Sequence, residues 1–175
     1  MKRVVISYSL TGNNGSLAER LAAALGAEHI KITEPKSRSM GAIAWDVLFQ
    51  RTPKIDLSIE DPEAYDWVLF CGPVWMGQAA SPFRACFKEL GPQIARYAFV
   101  SISGGADGPN PKLAGELEER LGKAPACLID LHIADLLPAE PKPVRKDTMA
   151  YRVTEGDLKH LADTVVAALS QAGLN

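Results

Sequence analysis

Cysteine is scarce in this chain. Cys71, Cys86 and Cys127 are the three present, an odd number with no Cys-x-x-Cys spacing. That excludes a disulfide framework and a zinc ribbon. Cys71 and Cys127 fall in apolar runs, as the buried reduced thiols of a cytoplasmic protein do. Histidine is as sparse: His29, His132 and His160 are scattered and make no metal-ligand pattern. Neither sign of charge is in excess. Lys and Arg number 19 against 21 Asp and Glu, a net charge of −2, which removes the electrostatic case for nucleic acid or an anionic membrane. No apolar run approaches the length of a membrane span. The stretch behind Met1-Lys2-Arg3 is too short for the core of a signal peptide, so a cytoplasmic location is expected.

What is present suits one domain over residues 1–175: a chain of this length that is 47% apolar can bury a sizeable core. Strand-like and helical patterns alternate. Val4–Tyr8 leads to a helix over Asn14–Leu25, then His29–Thr33, a helix near Met40–Gln50, and Trp67–Cys71. Helix Pro82–Leu90, strand Ala98–Ile102, helix Pro111–Leu121, strand Cys127–Ile133 and helix Glu155–Gln171 follow. Such alternation implies α/β architecture, a parallel sheet with helices on both faces. Ser81-Pro82 and Asn110-Pro111 read as helix starts, and Thr154 to Asp157 as a capping box. Val4–Ile6, Trp67–Cys71 and Ala98–Val100 are continuously apolar, as central strands are. His29–Ile32 and Leu128–Ile133 carry polar residues, as edge strands do. The expected fold is therefore a doubly wound, five-stranded parallel sheet in the order 2-1-3-4-5. Two segments exceed a minimal fold: 34–65, with Met40, Ile43, Trp45, Val47 and Leu48 on a helix and then extended Lys54–Ile59, and the long loop Ala134–Val153, with Pro138, Pro141 and Pro143.

In an open parallel sheet, ligands bind at the carboxyl ends of the strands where the strand order reverses. Three loops rich in glycine and small polar residues emerge there. The first, Ser9-Leu10-Thr11-Gly12-Asn13-Asn14, runs from a buried strand into a helix. It offers hydroxyls, amides and backbone N–H groups beside the positive end of the helix dipole, an anion site built without a cation. Its simpler reading is a turn capped by Asn13 or Asn14. The second, Gly72-Pro73-Val74-Trp75-Met76-Gly77-Gln78, places one large aromatic among glycines, suited to lie against a flat ring. Trp75 as a cover on the core is the competing reading. The third, Ser103-Gly104-Gly105-Ala106-Asp107-Gly108, leaves room for a ligand edge. A phosphate cup, a stacking aromatic and a glycine-lined edge describe a mononucleotide with a flat heteroaromatic head, and flavin mononucleotide (FMN) is the candidate.

These motifs, Ser9-x-Thr11-Gly12-Asn13-Asn14, Gly72-Pro73-Val74-Trp75-x-Gly77 and Ser101-x-Ser103-Gly104-Gly105, resemble those of the flavodoxin family, and more closely its bacterial flavodoxin-like members with a GxPxW second loop. The likeness spans nearly the whole chain, least in the two long segments. It implies that Ser9, Thr11, Asn13 and Asn14 bind phosphate and that Trp75 flanks the isoalloxazine. Pro73 and Gly77 would shape the Trp75 loop, and Gly104 and Gly105 would border the pyrimidine side. Leu10, Gly12, Val74, Met76 and Ser103 complete the implied FMN site. The family's first motif usually ends in Thr where this chain has Asn14, and the third loop lacks the family's second stacking aromatic. Met76, the Pro-rich loop or a partner subunit, as in a homodimer, could cover the far ring face.

An uncovered ring could take hydride from a nicotinamide, and −2 is a weak charge for an acidic electron carrier. The expectation is an FMN-dependent oxidoreductase working with a small-molecule or protein redox partner, NAD(P)H among the candidates. It needs no catalytic acid or base, because the cofactor carries the chemistry. A one-electron carrier and a cofactor-free interaction domain on the same scaffold are the alternatives. A receiver domain would need clustered acids after the first and third strands, and a phosphatase would need a cysteine in 9–14; both are absent. Gly12 and Gly15 do not make a dinucleotide fingerprint.

Overall fold

The computed structural model describes residues 1–35 and 40–174. Among the described residues seven strands are formed: β1 (Arg3–Ser7), β2 (Glu28–Lys31), β3 (Trp67–Cys71), β4 (Val74–Trp75), β5 (Gln78–Ala79), β6 (Tyr97–Ser103) and β7 (Cys127–His132). The six helices are α1 (Asn13–Leu25), α2 (Met40–Leu48), α3 (Pro82–Leu90), α4 (Leu113–Leu121), α5 (Arg145–Ala150) and α6 (Glu155–Gln171). The main sheet is parallel throughout, in the order β2-β1-β3-β6-β7. With the short antiparallel β4–β5 hairpin set aside, this is the expected order 2-1-3-4-5.

Burial follows strand composition. Every residue of β3 and β6 is buried, whereas β2 and β7 are half-buried or exposed. The sheet separates two apolar layers. On one face Val4, Ile6, Phe70 and Phe99 pack against α3 and α4 through Phe83, Phe87, Leu113 and Leu117. On the other, Val5, Leu69, Ala98 and Val100 meet α1 and α6 through Leu17, Leu21, Leu161 and Val165. Burying a large side chain in such layers contributes roughly 1.5–3 kcal/mol, and dozens of such residues fix the sheet's register and hold its carboxyl edge rigid.

Local signals behave unevenly. Thr154 and Asp157 form the expected capping box on α6, and Gly122 ends α4 in the left-handed conformation. Ser81 does not cap α3: its own backbone is helical and its side chain makes no capping bond. Helix α4 starts at Leu113 rather than Pro111, because Asn110 is held by Asp130 instead, with Nδ2 donating to Oδ2 at 2.8 Å. Residues 54–59 run extended as expected, with Thr33 bridging Asp56 and Ile55, Leu57 and Ile59 against the core. Residues 36–39 and the side chains of Met40 and Val47 lie outside the described residues. The segment 134–153 is not wholly loop, since it contains α5. Among the described residues no helix is long and apolar enough to cross a membrane.

Candidate functional site

The three loops after β1, β3 and β6 share one rim, where they enclose a cleft of two adjoining lobes. The smaller lobe, about 260 Å³, is lined by Thr11, Asn13, Asn14, Pro73 and Ile102. The larger, about 560 Å³, is lined by Met76, Gly77, Gly105, Ala106, Asp107 and Gly108. Leu10, Val74, Trp75, Ser103, Gly104, Thr148 and Met149 line both. Thr11, Trp75 and Gly104 thus converge on one cavity.

At the small lobe, Ser9 Oγ accepts from Gly12 N–H at 3.1 Å and closes the loop. Gly12 takes φ +98°, which favours glycine. The first bond of α1 is Ser16 N–H to Gly12 O at 2.9 Å. The N–H groups of Asn13, Asn14 and Gly15 therefore have no intrahelical acceptor and gather at the positive end of the helix. A Cβ on Gly15 would meet Ser9 Cβ at 3.3 Å, so its small size lets the loop fold back on the helix.

The side chains of Asn13 and Asn14 do something else than the resemblance implies. Asn14 is buried; its Nδ2 donates to Ile102 O at 3.0 Å and its Oδ1 accepts from Ile102 N–H at 2.8 Å. β3 pairs with β6 only as far as Val100, with Gly72 N–H reaching Val100 O. The Asn14 amide then continues that edge as a strand residue would. Asn13 Nδ2 donates to Tyr151 O at 3.1 Å, and Oδ1 accepts from Val153 N–H at 3.2 Å. Each amide is thereby bonded to the chain through one donor and one acceptor bond.

At the large lobe, Trp75 is half-buried and meets Tyr8 edge to face, with centroids 5.9 Å apart. It is both a cover on the core, as the competing reading has it, and a wall of the cleft. Met76 and Gly77 form the turn of the β4–β5 hairpin with φ +53° and +80°, the pair of positive values that a two-residue hairpin turn demands. Gly72 is directly followed by Pro73, so the second loop reads Gly-Pro-x-Trp. A Cβ on Gly72 would lie 2.3 Å from the Phe83 ring. Opposite, Gly104 backs onto Thr148, where a Cβ would fall 3.0 Å from Oγ1.

Residues that the sequence did not single out also line the cleft: Ile43 from α2, and Arg145, Thr148 and Met149 from α5. α5 arises within the Pro-rich segment and faces both lobes. Arg145 Nε pairs with Asp107 Oδ2 at 2.7 Å across the mouth, both side chains exposed. Behind the hairpin, buried Arg84 donates from Nη1 to Asp46 O and Arg51 O, and from Nη2 to Gln78 Oε1, at 2.8–2.9 Å. Burial lowers its pKa from the ordinary range. Burial pushes Cys71 and Cys86 well above the usual thiol range, and Cys71 Sγ donates to Asn14 O.

No family model matches this chain, and no curated relative matches it. Solved structures do. A flavoprotein in complex with FMN from Lactobacillus acidophilus NCFM superposes with a TM-score of 0.65 at 19% identity, over 74% of this chain and 92% of its own. A protein from Bacteroides eggerthii DSM 20697 gives 0.60 at 18% identity, covering 94% and 98%. A flavodoxin from the domain Archaea gives 0.55 at 13% identity, covering 99% of each chain. With the strand order and the rim cleft, these likenesses establish that the chain has the flavodoxin-like fold.

Proposed function

We propose that this chain binds FMN in the rim cleft and moves electrons or hydride through it, as a flavodoxin-like oxidoreductase with NAD(P)H as its donor. The observation that carries the reading is the two-lobed shape itself: unpaired helix N–H groups close one lobe and an indole walls the other. Together the lobes fall in the size range of small-molecule sites. The residues fit the group. The backbone of 13–15 and the Thr11 hydroxyl would hold the phosphate. Trp75 would flank the ring, and Gly104 and Gly105 would admit its pyrimidine edge. The flavodoxin-like structures above support the choice of FMN, one of them having been solved with it.

When bound, FMN supplies the redox chemistry, and no protein acid or base is required. This chain's residues orient the ring and exclude water from one face. Trp75 is the one aromatic among the described lining residues of the cleft, whose other large side chains include Met76 and Met149. An aliphatic, partly open face leaves room for a nicotinamide to stack, which supports NAD(P)H. The test is a visible spectrum of the purified protein, followed by FMN titration and anaerobic mixing with NADH and NADPH. Flavin absorption bleached by either nucleotide is expected. A colourless protein that takes up no FMN refutes the cofactor, and flavin that neither nucleotide bleaches leaves a one-electron carrier.

A further inference from the structure

Asp130, on the edge strand β7, is not exposed as a polar edge residue would be; its side chain is 17% accessible. Its carboxylate accepts from three donors and lies against a fourth group, an imidazole nitrogen. Oδ1 accepts from Ser103 Oγ at 3.2 Å. Oδ2 accepts from Asn110 N–H at 3.3 Å and Asn110 Nδ2 at 2.8 Å, and lies 3.0 Å from His132 Nε2. Ser103 and Asn110 are the two ends of the glycine loop that walls the large lobe. The middle of that loop rests on the same group of side chains. Gly105 has φ +72°, and a Cβ there would lie 2.4 Å from His132 Cβ. Asp130 and His132, two apart on a strand, share one face. Ala134 N–H also donates to Gly104 O at 3.1 Å.

A loop that is almost all backbone has little of its own to hold its shape. We infer that Asp130 is a positioning residue for the flavin ring: its carboxylate clamps both ends of Ser103–Asn110 and so sets where the loop's backbone meets the ring's pyrimidine edge. The inference rests on the FMN reading above. An amide of the same size keeps one acceptor oxygen and can donate to the Ser103 hydroxyl, but it loses the charge that strengthens the bonds from Asn110.

The test is Asp130→Asn in the full chain. FMN affinity falls by about tenfold or more, from the loss of charge-assisted bonds. Riboflavin, which lacks the phosphate, loses the same factor, and the visible bands of bound flavin shift. In the flavin-free protein, amide hydrogen exchange at Gly104–Gly108 accelerates. Asn110→Ala, at a partly exposed position, shows the same changes more weakly and serves if Asp130→Asn does not fold. Unchanged FMN affinity and spectrum, or weakened FMN binding with riboflavin unaffected, overturns the inference. If the wild-type chain takes up no flavin, the proposed function fails. The exchange measurement then decides alone whether Asp130 holds the loop, and unaltered exchange refutes it.

Discussion

Replacing Asn14 by Ala removes an acceptor and a donor from a site that is 3% exposed, leaving Ile102 N–H and Ile102 C=O without the bonds they make at 2.8 and 3.0 Å. Each buried polar group left unpaired costs about 1–3 kcal/mol. Asn14 also borders the small lobe, so water can reach part of the gap. A total near the lower half of the sum, about 2–4 kcal/mol, is expected. Against the roughly 5–15 kcal/mol of a whole domain this is a large fraction. It corresponds to a fall in Tm of about 4–16 °C for a chain of this size. Urea unfolding of the flavin-free protein measures it. Asn14→Asp should be no better, since it turns a carboxylate oxygen toward Ile102 O. FMN and riboflavin should weaken in parallel, because the amide faces β6 and not the phosphate. The reasoning is refuted if the flavin-free variant loses under about 1 kcal/mol while FMN weakens far more than riboflavin. That result would put the amide on the phosphate.

Two further outcomes follow from the same coordinates. Met76→Gly should raise stability by about 0.5–1 kcal/mol, since left-handed backbone strains a non-glycine residue by roughly 1–2 kcal/mol and glycine's extra freedom offsets part of the gain. Flavin affinity should fall with it, because the exposed Met76 side chain lines the large lobe; urea midpoints and FMN titration read the two effects. His29 should make stability pH-dependent. Burial, and secondarily the charge of Lys31, hold its imidazole below the usual range. The unfolded chain then binds more protons in that window, so stability is in place above about pH 6.5 and is lost as pH falls below it. His29→Gln should flatten urea midpoints measured between about pH 5 and 7, and a slope unchanged by the substitution would contradict this.

Much of this architecture is legible in the residues alone. Val4–Ile6 and Trp67–Cys71 are unbroken apolar runs, and a strand covered on both faces carries few polar side chains. That fixes which strands are central, hence the reversal point, hence the rim where the loops meet. Less legible is what each loop residue does. Asn13 and Asn14 look alike in sequence, and their pairing with Tyr151, Val153 and Ile102 spans 88 to 140 residues, beyond any local pattern. α5 is only six residues long, too short for a periodic signal, and prolines on its approach suggest a loop. Asp130 reads as an ordinary edge-strand polar residue because its partners lie on another strand and a distant turn. Ser81-Pro82 shows the converse failure. The local signal is strong, yet Ser81 lies inside the helical conformation rather than before it.

Arg84 gives the cleft wall a mechanical property. The described partners of its guanidinium are carbonyl oxygens: two from the end of α2 and the turn beyond it, one from the hairpin residue Gln78. A buried cation solvated by dipoles tolerates no partial loosening, because releasing one segment strips ligands from the charge while the other still encloses it. α2, the turn after it and the β4–β5 hairpin are therefore tied to one another through a single buried charge.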